Sequence, residues 1–483
     1  MLPRLRFRTA AARHPADLLD AAPPGAEPLV WLRRGDGFVA WGQAARLDAL
    51  GPDRFSAAEQ WWRAVLNQAS VSGPAEVPGQ GPLAFGAFAF ADNSPQASSL
   101  IVPQVVVARF RGREWVTTAE APGQASDQTS WPLDDAVPAP PARRAPRFGG
   151  GAAAEPGSVT AAADRARRHG VTNWPTSGRA LARAGFSTGE PTSLADGGLV
   201  EEPGPVAAAD WPATVAKAVA LIKAGAMEKV VLARSVIAHS TGGAIDTLGL
   251  ARNLAAAYGE TWTFAVDGIV GATPELLLRS SRGLVTSRVL AGTIRRGGCD
   301  QADLAHAAAL ARSSKDLEEH EFAVRSVTQA LEPFLEEISV PETPSVLHLP
   351  NVMHLATEVV GELRRSRAGA LPGALSLVEA LHPSAAVCGT PKRAAAEAIV
   401  RLEGLDRGRY SGPVGWIDQD GAGEWGIALR CAELDADRRR ARLWAGGGIV
   451  AASDPAAELA ETEAKLQPMR GALGLIRTDP EGP

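Results

Sequence analysis

The chain has 483 residues, of which 45% are hydrophobic and 21% are charged, and its formal net charge is −5. This composition is ordinary for a folded globular protein, and the charge gives no reason to expect nucleic acid or an anionic membrane as a partner. No stretch reaches the roughly 18 consecutive apolar residues of a membrane helix. Three cysteines without metal-ligand or disulfide spacing are typical of a reducing compartment, so we expect a cytoplasmic protein.

The first part of the chain, residues 1–118, alternates strand-like and helical patterns. Residues 28–42 predict a β-hairpin, because two apolar runs flank a charged turn that contains glycine. Residues 57–67 predict a short helix, and residues 81–92 and 99–118 predict strands rich in Val, Phe and Trp. This part has no cluster of potential catalytic groups, so we expect it to pack on the catalytic unit.

Residues 119–206 differ from both neighbours in composition. They are dense in Pro, Gly and Ala and show little apolar periodicity, which predicts a flexible linker or insertion. Residues 160–169 and 177–184 predict short helices within it. We expect the catalytic domain to span residues 207–475.

A strand-like run begins at Lys229, after a helical pattern that Asp210 is predicted to cap. A lysine at the start of a strand is usually solvated. It becomes a candidate general base only if folding places it in a dry cleft, where desolvation lowers its pKa.

Glu275 directly precedes three leucines. Apolar surroundings would raise the pKa of its carboxyl and suit it to donate a proton. The alternative is a solvated carboxylate on an edge strand. Further along, Gly292 and Thr293 lie in a predicted turn of small residues that would let a ligand approach closely.

A long helix is predicted from residue 301 to about 338. Asp316, Glu319 and His320 share one of its faces, and carboxylates spaced i, i+3 can reach one cation together or through water. The alternative is a solvated acidic turn at the end of an apolar stripe. His354 is a single histidine in a strand-like run. A histidine in such a run is more often a hydrogen-bonded core residue than a catalyst.

Tyr410 and Arg430 fall in two runs that predict paired strands. The neighbours of Arg430 are Ile, Ala, Leu and Cys, so burying the guanidinium is costly unless it meets an anion. That environment suits a substrate carboxylate. An edge arginine that points to water is the alternative.

Residues 443–466 combine a glycine run with an acidic helix. The three glycines 446–448 predict a turn at which a ligand can approach bare N–H groups. Asp454 and Pro455 predict the start of a helix on which Glu458, Glu461 and Lys465 share one face. The combination suggests a metal-assisted anion site, and a solvated pair of Glu461 with Lys465 is the alternative.

From about residue 210 to 475 the motifs together resemble the chorismate-utilising enzymes, in that family's order. The matching runs are EKVVLARS, GATPELLLR, VLAGT, KDLEEHEFAV, HPSAAVCGTPK, RGRYSGPVGW, GEWGIALRCAEL and AGGGIVAASDP. The resemblance implies one large α+β unit, in which two antiparallel sheets form a β-sandwich with helices packed outside. The site would lie in a cleft of that unit, wrapped by the N-terminal strands.

The resemblance also implies roles for individual residues. Lys229 would be the general base that activates water, and Glu275 the general acid that protonates the leaving hydroxyl. Mg²⁺ is the implied cofactor, held by Glu319 and Glu461 with Asp316 and Glu458 nearby, and the shorter side chain of Asp316 argues against direct metal contact. The implied substrate-binding residues are Gly292, Thr293, His354, Ala386, Tyr410, Arg430, Gly446, Gly448 and Lys465.

Three positions distinguish branches of this family. Ammonia-using members carry glutamine in place of Lys229, and aminodeoxychorismate synthases carry lysine in place of Ala291. Salicylate synthases usually carry threonine in place of Ala386, where its hydroxyl is linked to pyruvate elimination. These differences favour the isochorismate synthase branch.

We therefore expect an Mg²⁺-dependent isomerase that converts chorismate to isochorismate. A salicylate synthase, with the same site and added pyruvate elimination, and a non-catalytic chorismate-binding protein remain alternatives. We expect chorismate as the small-molecule partner and a monomeric chain. The product could feed menaquinone or siderophore biosynthesis.

Overall fold

The computed structural model describes residues 3–121, 194, 198–297, 299–349 and 352–475. In these ranges the chain forms two β-sheets flanked by helices. The helices are α1 (Arg54–Gln68), α2 (Trp211–Lys223), α3 (Thr247–Ala257), α4 (Asp300–Arg312), α5 (Ser314–Leu331), α6 (Ala374–Leu381), α7 (Lys392–Glu403) and α8 (Pro455–Ala472), with short 3-10 helices at Leu18–Ala21 and Glu332–Phe334. None of the helices in the described ranges is both long and apolar enough to cross a membrane.

The first sheet has 13 strands in the described ranges. They are β1 (Arg6–Ala11), β2 (Leu29–Arg33), β3 (Asp36–Trp41), β5 (Ser70–Ser72), β8 (Val105–Phe110), β9 (Arg113–Glu120), β10 (Leu199–Pro203), β11 (Lys229–Ser240), β12 (Trp262–Val266), β13 (Ile269–Thr273), β19 (Gly389–Thr390), β22 (Cys431–Leu434) and β23 (Arg440–Ile449). Their order is β10-β11-β23-β22-β13-β12-β2-β3-β8-β9-β1-β5, and β19 pairs with β11.

The second sheet has 10 strands in the same ranges. They are β4 (Ala45–Ala49), β6 (Leu83–Ala87), β7 (Ser98–Val102), β14 (Leu276–Ser281), β15 (Leu284–Arg295), β16 (Leu335–Ser339), β17 (Ser345–His348), β18 (Val352–Leu363), β20 (Pro413–Asp418) and β21 (Gly423–Ile427). Their order is β16-β18-β15-β14-β21-β20-β6-β7-β4, and β17 pairs with β18. The strand pairs of both sheets are antiparallel, apart from β1 with β5.

Aromatic side chains from the two sheets pack against each other. The ring of Phe38, on the first sheet, lies 5.0 Å from that of Trp416 and 6.3 Å from that of Phe85, both on the second. Trp31, Trp262 and these three rings belong to one buried cluster. Burial of such large apolar surfaces is the main force that holds two sheets together. The α+β sandwich with outer helices is confirmed.

Strands from the N-terminal part contribute to both sheets. β2 pairs with β12 and extends the first sheet, whereas β6 pairs with β20 and extends the second. The hairpin predicted at residues 28–42 is β2–β3, and the helix predicted at 57–67 is α1. Within the predicted linker 119–206, β9 reaches Glu120 and β10 is a strand. The helices predicted at 160–169 and 177–184 lie outside the described residues.

The long helix predicted for residues 301–338 is wrong in its extent. The segment holds two helices, α4 and α5, and α5 ends at Leu331. Pro333 follows in the second position of a short 3-10 turn, and it has no N–H with which to continue an α-helix. The chain then enters β16, which pairs with β18 at the edge of the second sheet.

Candidate active site

A cavity of about 120 Å³ lies between β11, β15 and β23 and the helices α5 and α8. It gathers residues that are distant in sequence. The predicted site residues that line it are Glu275, Gly292, Thr293, Asp316, Glu319, His354, Ala386, Tyr410, Arg430, Gly446, Gly448, Glu458, Glu461 and Lys465. Lys229 lies just behind this lining, where its Nζ is 3.0 Å from Glu319 Oε1 and its side chain is 1% exposed. The predicted base is therefore in a dry environment.

The glycine run forms one wall of the cavity. The prediction of a turn at residues 446–448 is wrong, because these glycines lie in β23 and pair with β11. The reason for glycine is space: a Cβ atom on Gly448 would lie 2.6 Å from Glu319 Oε1 and 2.9 Å from Lys229 Cε. A Cβ on Gly447 would lie 3.0 Å from Glu458 Oε2. Bare backbone thus lets the carboxylates of two helices reach the strand.

We expect Gly448→Ala to impair turnover, because the new methyl group would collide with the Glu319 carboxylate and the Lys229 stem. A displacement of about 1 Å in such a site can cost about 10²-fold in rate, which steady-state kinetics would measure. Gly259→Ala is the control, since a Cβ there meets nothing closer than Ala255 O at 3.6 Å. Wild-type turnover by Gly448→Ala would contradict the steric role assigned to this glycine.

The two acidic helices begin close to the residues that they present. The hydroxyl of Ser313 accepts a hydrogen bond from Asp316 N at 3.3 Å, and the carboxylate of Asp454 accepts one from Ala457 N at 2.8 Å. Pro455 follows Asp454 at the first helical position. These caps define where α5 and α8 start, and so the angle at which Glu319 and Glu458 face β23.

Glu275 lies in the link between β13 and β14, and its side chain is buried. Its backbone is held on both sides, since its N–H donates to Thr273 Oγ1 and its C=O accepts from Ile427 N. Burial raises the pKa of its carboxyl to about 7, although the charges of Arg430, Lys229 and Lys465 oppose the rise. The direction is the one expected from its apolar neighbours, and it leaves the carboxyl protonated in acidic solution and partly protonated at pH 7.

Arg430 lines the cavity but does not lie in a strand. The predicted strand is interrupted between β21 and β22, where Arg430 has a left-handed backbone with φ of 50°. Burial lowers the pKa of its guanidinium, and the neighbouring Tyr410, Glu461 and Glu275 partly offset that effect. Tyr410 stacks on Trp444 with ring centroids 5.0 Å apart, which holds its hydroxyl group at the cavity. Arg430 and Tyr410 thus converge on one side of the cavity.

Lys465 and Glu461 form an ion pair inside the cavity, rather than on a solvated helix face. Lys465 Nζ is 2.5 Å from Glu461 Oε1 and donates to Gly446 O at 2.8 Å. Burial raises the pKa of Glu461, but Lys465, His354 and Arg430 together lower it more, so the net shift is downward. The Glu461 carboxylate therefore remains ionised in its buried position.

His354 is buried with one ring nitrogen engaged. Its Nδ1 is 3.1 Å from Thr293 Oγ1 and 3.3 Å from Gly292 O. Its Nε2 makes no hydrogen bond within the described residues. Burial lowers the pKa of the imidazole to about 3, and Arg430 adds to the effect, so the ring is neutral at pH 7. The free ring nitrogen is therefore available to a ligand in the cavity.

Gly292 does not form the predicted turn. It lies within β15 at a bulge, where the pairing register with β18 shifts between Ala291 and Thr293. Its φ is 74°, a conformation that side chains rarely adopt, and a Cβ there would lie 2.9 Å from Asp316 Cβ. The bulge therefore lets α5 approach β15 and turns Thr293 towards the cavity.

The predicted ligands of a metal ion are Glu319 and Glu461, with Asp316 and Glu458 nearby, and all four line the cavity. In the described part of the chain, no three His, Cys, Asp or Glu side chains are close enough to hold a metal ion together. Glu319 and Glu461 are instead paired with Lys229 and Lys465. An all-carboxylate donor set still suits Mg²⁺, which prefers oxygen ligands and retains several waters.

Sequence reasoning missed several residues of the cavity lining. These are Val231, Pro274, Leu290, Val387, Ser411 and Leu429. Most are apolar and give no chemical signal in a sequence. Ser411 is the exception: its φ of 60° lies in the left-handed region, directly after Tyr410 in a Ser-Gly-Pro sequence typical of a turn.

Comparisons with known proteins agree with this fold and site. The profile of the family described as chorismate binding enzyme matches residues 11–131 and 184–474. The isochorismate synthase DhbC of Bacillus subtilis is 41% identical over 278 residues, which are 55% of this chain and 68% of that protein. The salicylate biosynthesis isochorismate synthase of Pseudomonas aeruginosa is 32% identical over 460 residues, 93% of this chain and 85% of that protein.

Two solved structures share the whole architecture. DhbC of Bacillus anthracis superimposes with a TM-score of 0.67 at 30% identity, covering 95% of this chain and 99% of that one. MenF of Escherichia coli, at 21% identity, gives a TM-score of 0.69 over 98% of this chain and 95% of that one, and supports the fold. The fold and the cavity define an α+β enzyme whose candidate site lies between two sheets. The chain belongs to the chorismate binding enzyme family.

Proposed function

We propose that this protein is an isochorismate synthase, which isomerises chorismate to isochorismate. The observation that carries the proposal is that Glu275 and Arg430 line one cavity, and that Lys229 lies just behind its wall beside Glu319. They supply an amine, a carboxyl group whose pKa burial raises to about 7, and a guanidinium for a carboxylate. Relatives named as isochorismate synthases support the choice of reaction.

In the proposed reaction, Lys229 Nζ takes a proton from water, and the oxygen of that water adds at C2 of the ring. The ring double bonds shift, and the C4 hydroxyl leaves with the proton of the Glu275 carboxyl group as a second water. Atoms and charge therefore balance without an oxidant or reductant. Glu275 suits the role of proton donor because burial raises the pKa of its carboxyl to about 7. Arg430 and Tyr410 would bind a substrate carboxylate and orient the ring.

We also propose that Mg²⁺ binds at Glu319 and Glu461, with Glu458 and Asp316 beside it. When bound, the ion would offset the charge of these carboxylates and of the substrate's ring carboxylate. These residues fit a metal site, because the glycines of β23 have no side chains that would keep the carboxylates of Glu319 and Glu458 away from the strand.

We expect Glu458→Gln to weaken Mg²⁺ binding by about 10–100-fold, the usual cost of losing a supporting ligand. Calorimetric titration with Mg²⁺ measures this without reference to activity, and the concentration for half-maximal turnover should rise in parallel. Glu463→Gln is the control on the same helix, because Glu463 faces Arg470 and Arg234 instead of the cavity. Equal affinity of both variants, or full turnover in excess chelator, would contradict the proposed metal site.

Incubation of the purified protein with chorismate and Mg²⁺, followed by chromatography, tests the proposed reaction. We expect isochorismate as the sole product. Release of pyruvate with salicylate would show elimination despite Ala386. Binding of chorismate without turnover would identify a non-catalytic binding protein. Sedimentation of the same sample tests the expected monomer.

A further inference from the structure

A buried ion pair next to the cavity has no part in the reaction described above. The side chains of Arg407 and Glu403 are 2% and 0% exposed. Arg407 Nε donates to Glu403 Oε2 at 3.0 Å, and Nη2 donates to Oε1 at 2.5 Å. Burying two charges costs free energy, which their mutual attraction offsets only in part. Apolar residues of similar size often stabilise a core equally well. Stability alone therefore gives little reason for this pair.

The other contacts of the pair reach two walls of the cavity. Arg407 Nη2 donates to Val231 O at 2.6 Å, and Nη1 donates to Val387 O at 3.0 Å. Glu403 Oε1 accepts a hydrogen bond from Ala233 N at 2.7 Å. Val231 and Val387 both line the cavity. One guanidinium thus joins strand β11 to the separate segment that contains Val387.

Both joined segments carry residues that matter for the proposed reaction. β11 begins with Lys229, two residues before Val231, and the other segment contains Ala386. Beyond Arg407, these segments are connected by the short pairing of β11 with β19 and by a hydrogen bond from Val231 N to Cys388 O at 2.7 Å. The Arg407 guanidinium also packs on the ring of Phe90, 4.5 Å from its centroid.

We propose that Arg407 is a positioning residue, which sets the distance between Lys229 and the cavity wall formed by Ala386 and Val387. The planar fork of arginine can bind a carboxylate and two carbonyl oxygens in fixed directions, whereas the single ammonium of lysine cannot. Arg407 touches no reacting atom and acts through the backbone of β11. This inference rests on the proposed function, since it assigns a geometric requirement to the same reaction.

The test compares Arg407→Lys with Arg409→Lys. Arg409 is a matched control: it is also buried, pairs with Asp267 at 2.6 Å and donates to the backbone carbonyls of Ala97 and Asp267, but neither of these two partners lines the cavity. We expect Arg407→Lys to lower kcat by about 10–100-fold, because a small misplacement of a catalytic group has that effect. KM should stay within about threefold, because Arg430 and Tyr410 are unchanged. Arg409→Lys should keep kcat within about twofold.

Kinetics are measured at a temperature at which circular dichroism shows each variant fully folded. If both variants lose thermal stability equally and kcat per folded molecule is unchanged in Arg407→Lys, the pair is only structural and the proposal is overturned. Should Arg407→Lys not fold, Glu403→Gln carries the same expectation, and a wild-type kcat in that variant overturns the proposal. Absence of turnover in the wild-type protein would instead refute the proposed function itself.

Discussion

Lys229→Gln is expected to lower kcat for isochorismate formation by about 10²–10⁴-fold, the usual contribution of a positioned general base. The amide can still donate a hydrogen bond to Glu319, whose carboxylate lies 3.0 Å from Lys229 Nζ in the wild-type protein, but it cannot take a proton from water. The change therefore removes the proposed chemistry while it keeps the contact and most of the side-chain volume. Product chromatography under saturating chorismate measures the effect.

Lys223→Gln serves as the control for this variant, because Lys223 is exposed in the last turn of α2. It should retain wild-type kcat. Near-UV circular dichroism should show that Lys229→Gln keeps the native packing. A folded Lys229→Gln variant with a kcat within about threefold of wild type would contradict the assignment of Lys229 as the base.

Local patterns of sequence predicted those parts of the site that depend on neighbouring residues. The start of α8 follows from Asp454 and Pro455, which supply a side-chain acceptor and a preset φ within one turn. The raised pKa of Glu275 follows from the apolar residues that adjoin it in the chain. The two-sheet fold itself was expected from a resemblance carried by eight motifs, not from periodicity.

Features that depend on distant partners could not be predicted from the sequence. Glycines 446–448 are compatible with a turn or with a strand, and only the pairing with β11 makes them extended. Arg430 stands between strand-like residues, so nothing local indicated its left-handed conformation at the cavity. The contacts of Arg407 with Val231 and Val387 likewise join three segments whose proximity exists only in the fold.

Glu275→Gln is expected to lower kcat by about 10²–10⁴-fold, because the amide has no acidic proton for the leaving hydroxyl. The carboxyl must be protonated to act, and burial raises its pKa to about 7. If Glu275 must be protonated, kcat/KM of the wild-type protein should be highest below pH 7. It should fall as the pH rises through 7. The residual activity of Glu275→Gln should lack this fall.

Glu275 should also make stability depend on pH in a defined direction. Because its pKa is higher in the folded state than the ordinary value of 4.5, the folded state retains the proton longer than the unfolded state does. The free energy of unfolding should then decrease as the pH rises from about 4.5 to about 7, by about 1.4 kcal/mol for each unit of pKa difference. Urea denaturation across this range should show a smaller decrease for Glu275→Gln.

Asp418→Asn separates the effect on stability from the effect on catalysis. Burial raises the pKa of Asp418 to about 7 as well, but this carboxyl accepts hydrogen bonds from the backbone of Gly79 and Ala422 and does not line the cavity. Its replacement should therefore reduce the pH dependence of unfolding while the alkaline fall of kcat/KM persists. If Asp418→Asn abolishes that fall and Glu275→Gln retains it, Glu275 is not the proton donor. If Glu275→Gln loses the alkaline fall of kcat/KM and Asp418→Asn keeps it, the proton donor is Glu275, the one of these two carboxyl groups that faces the cavity.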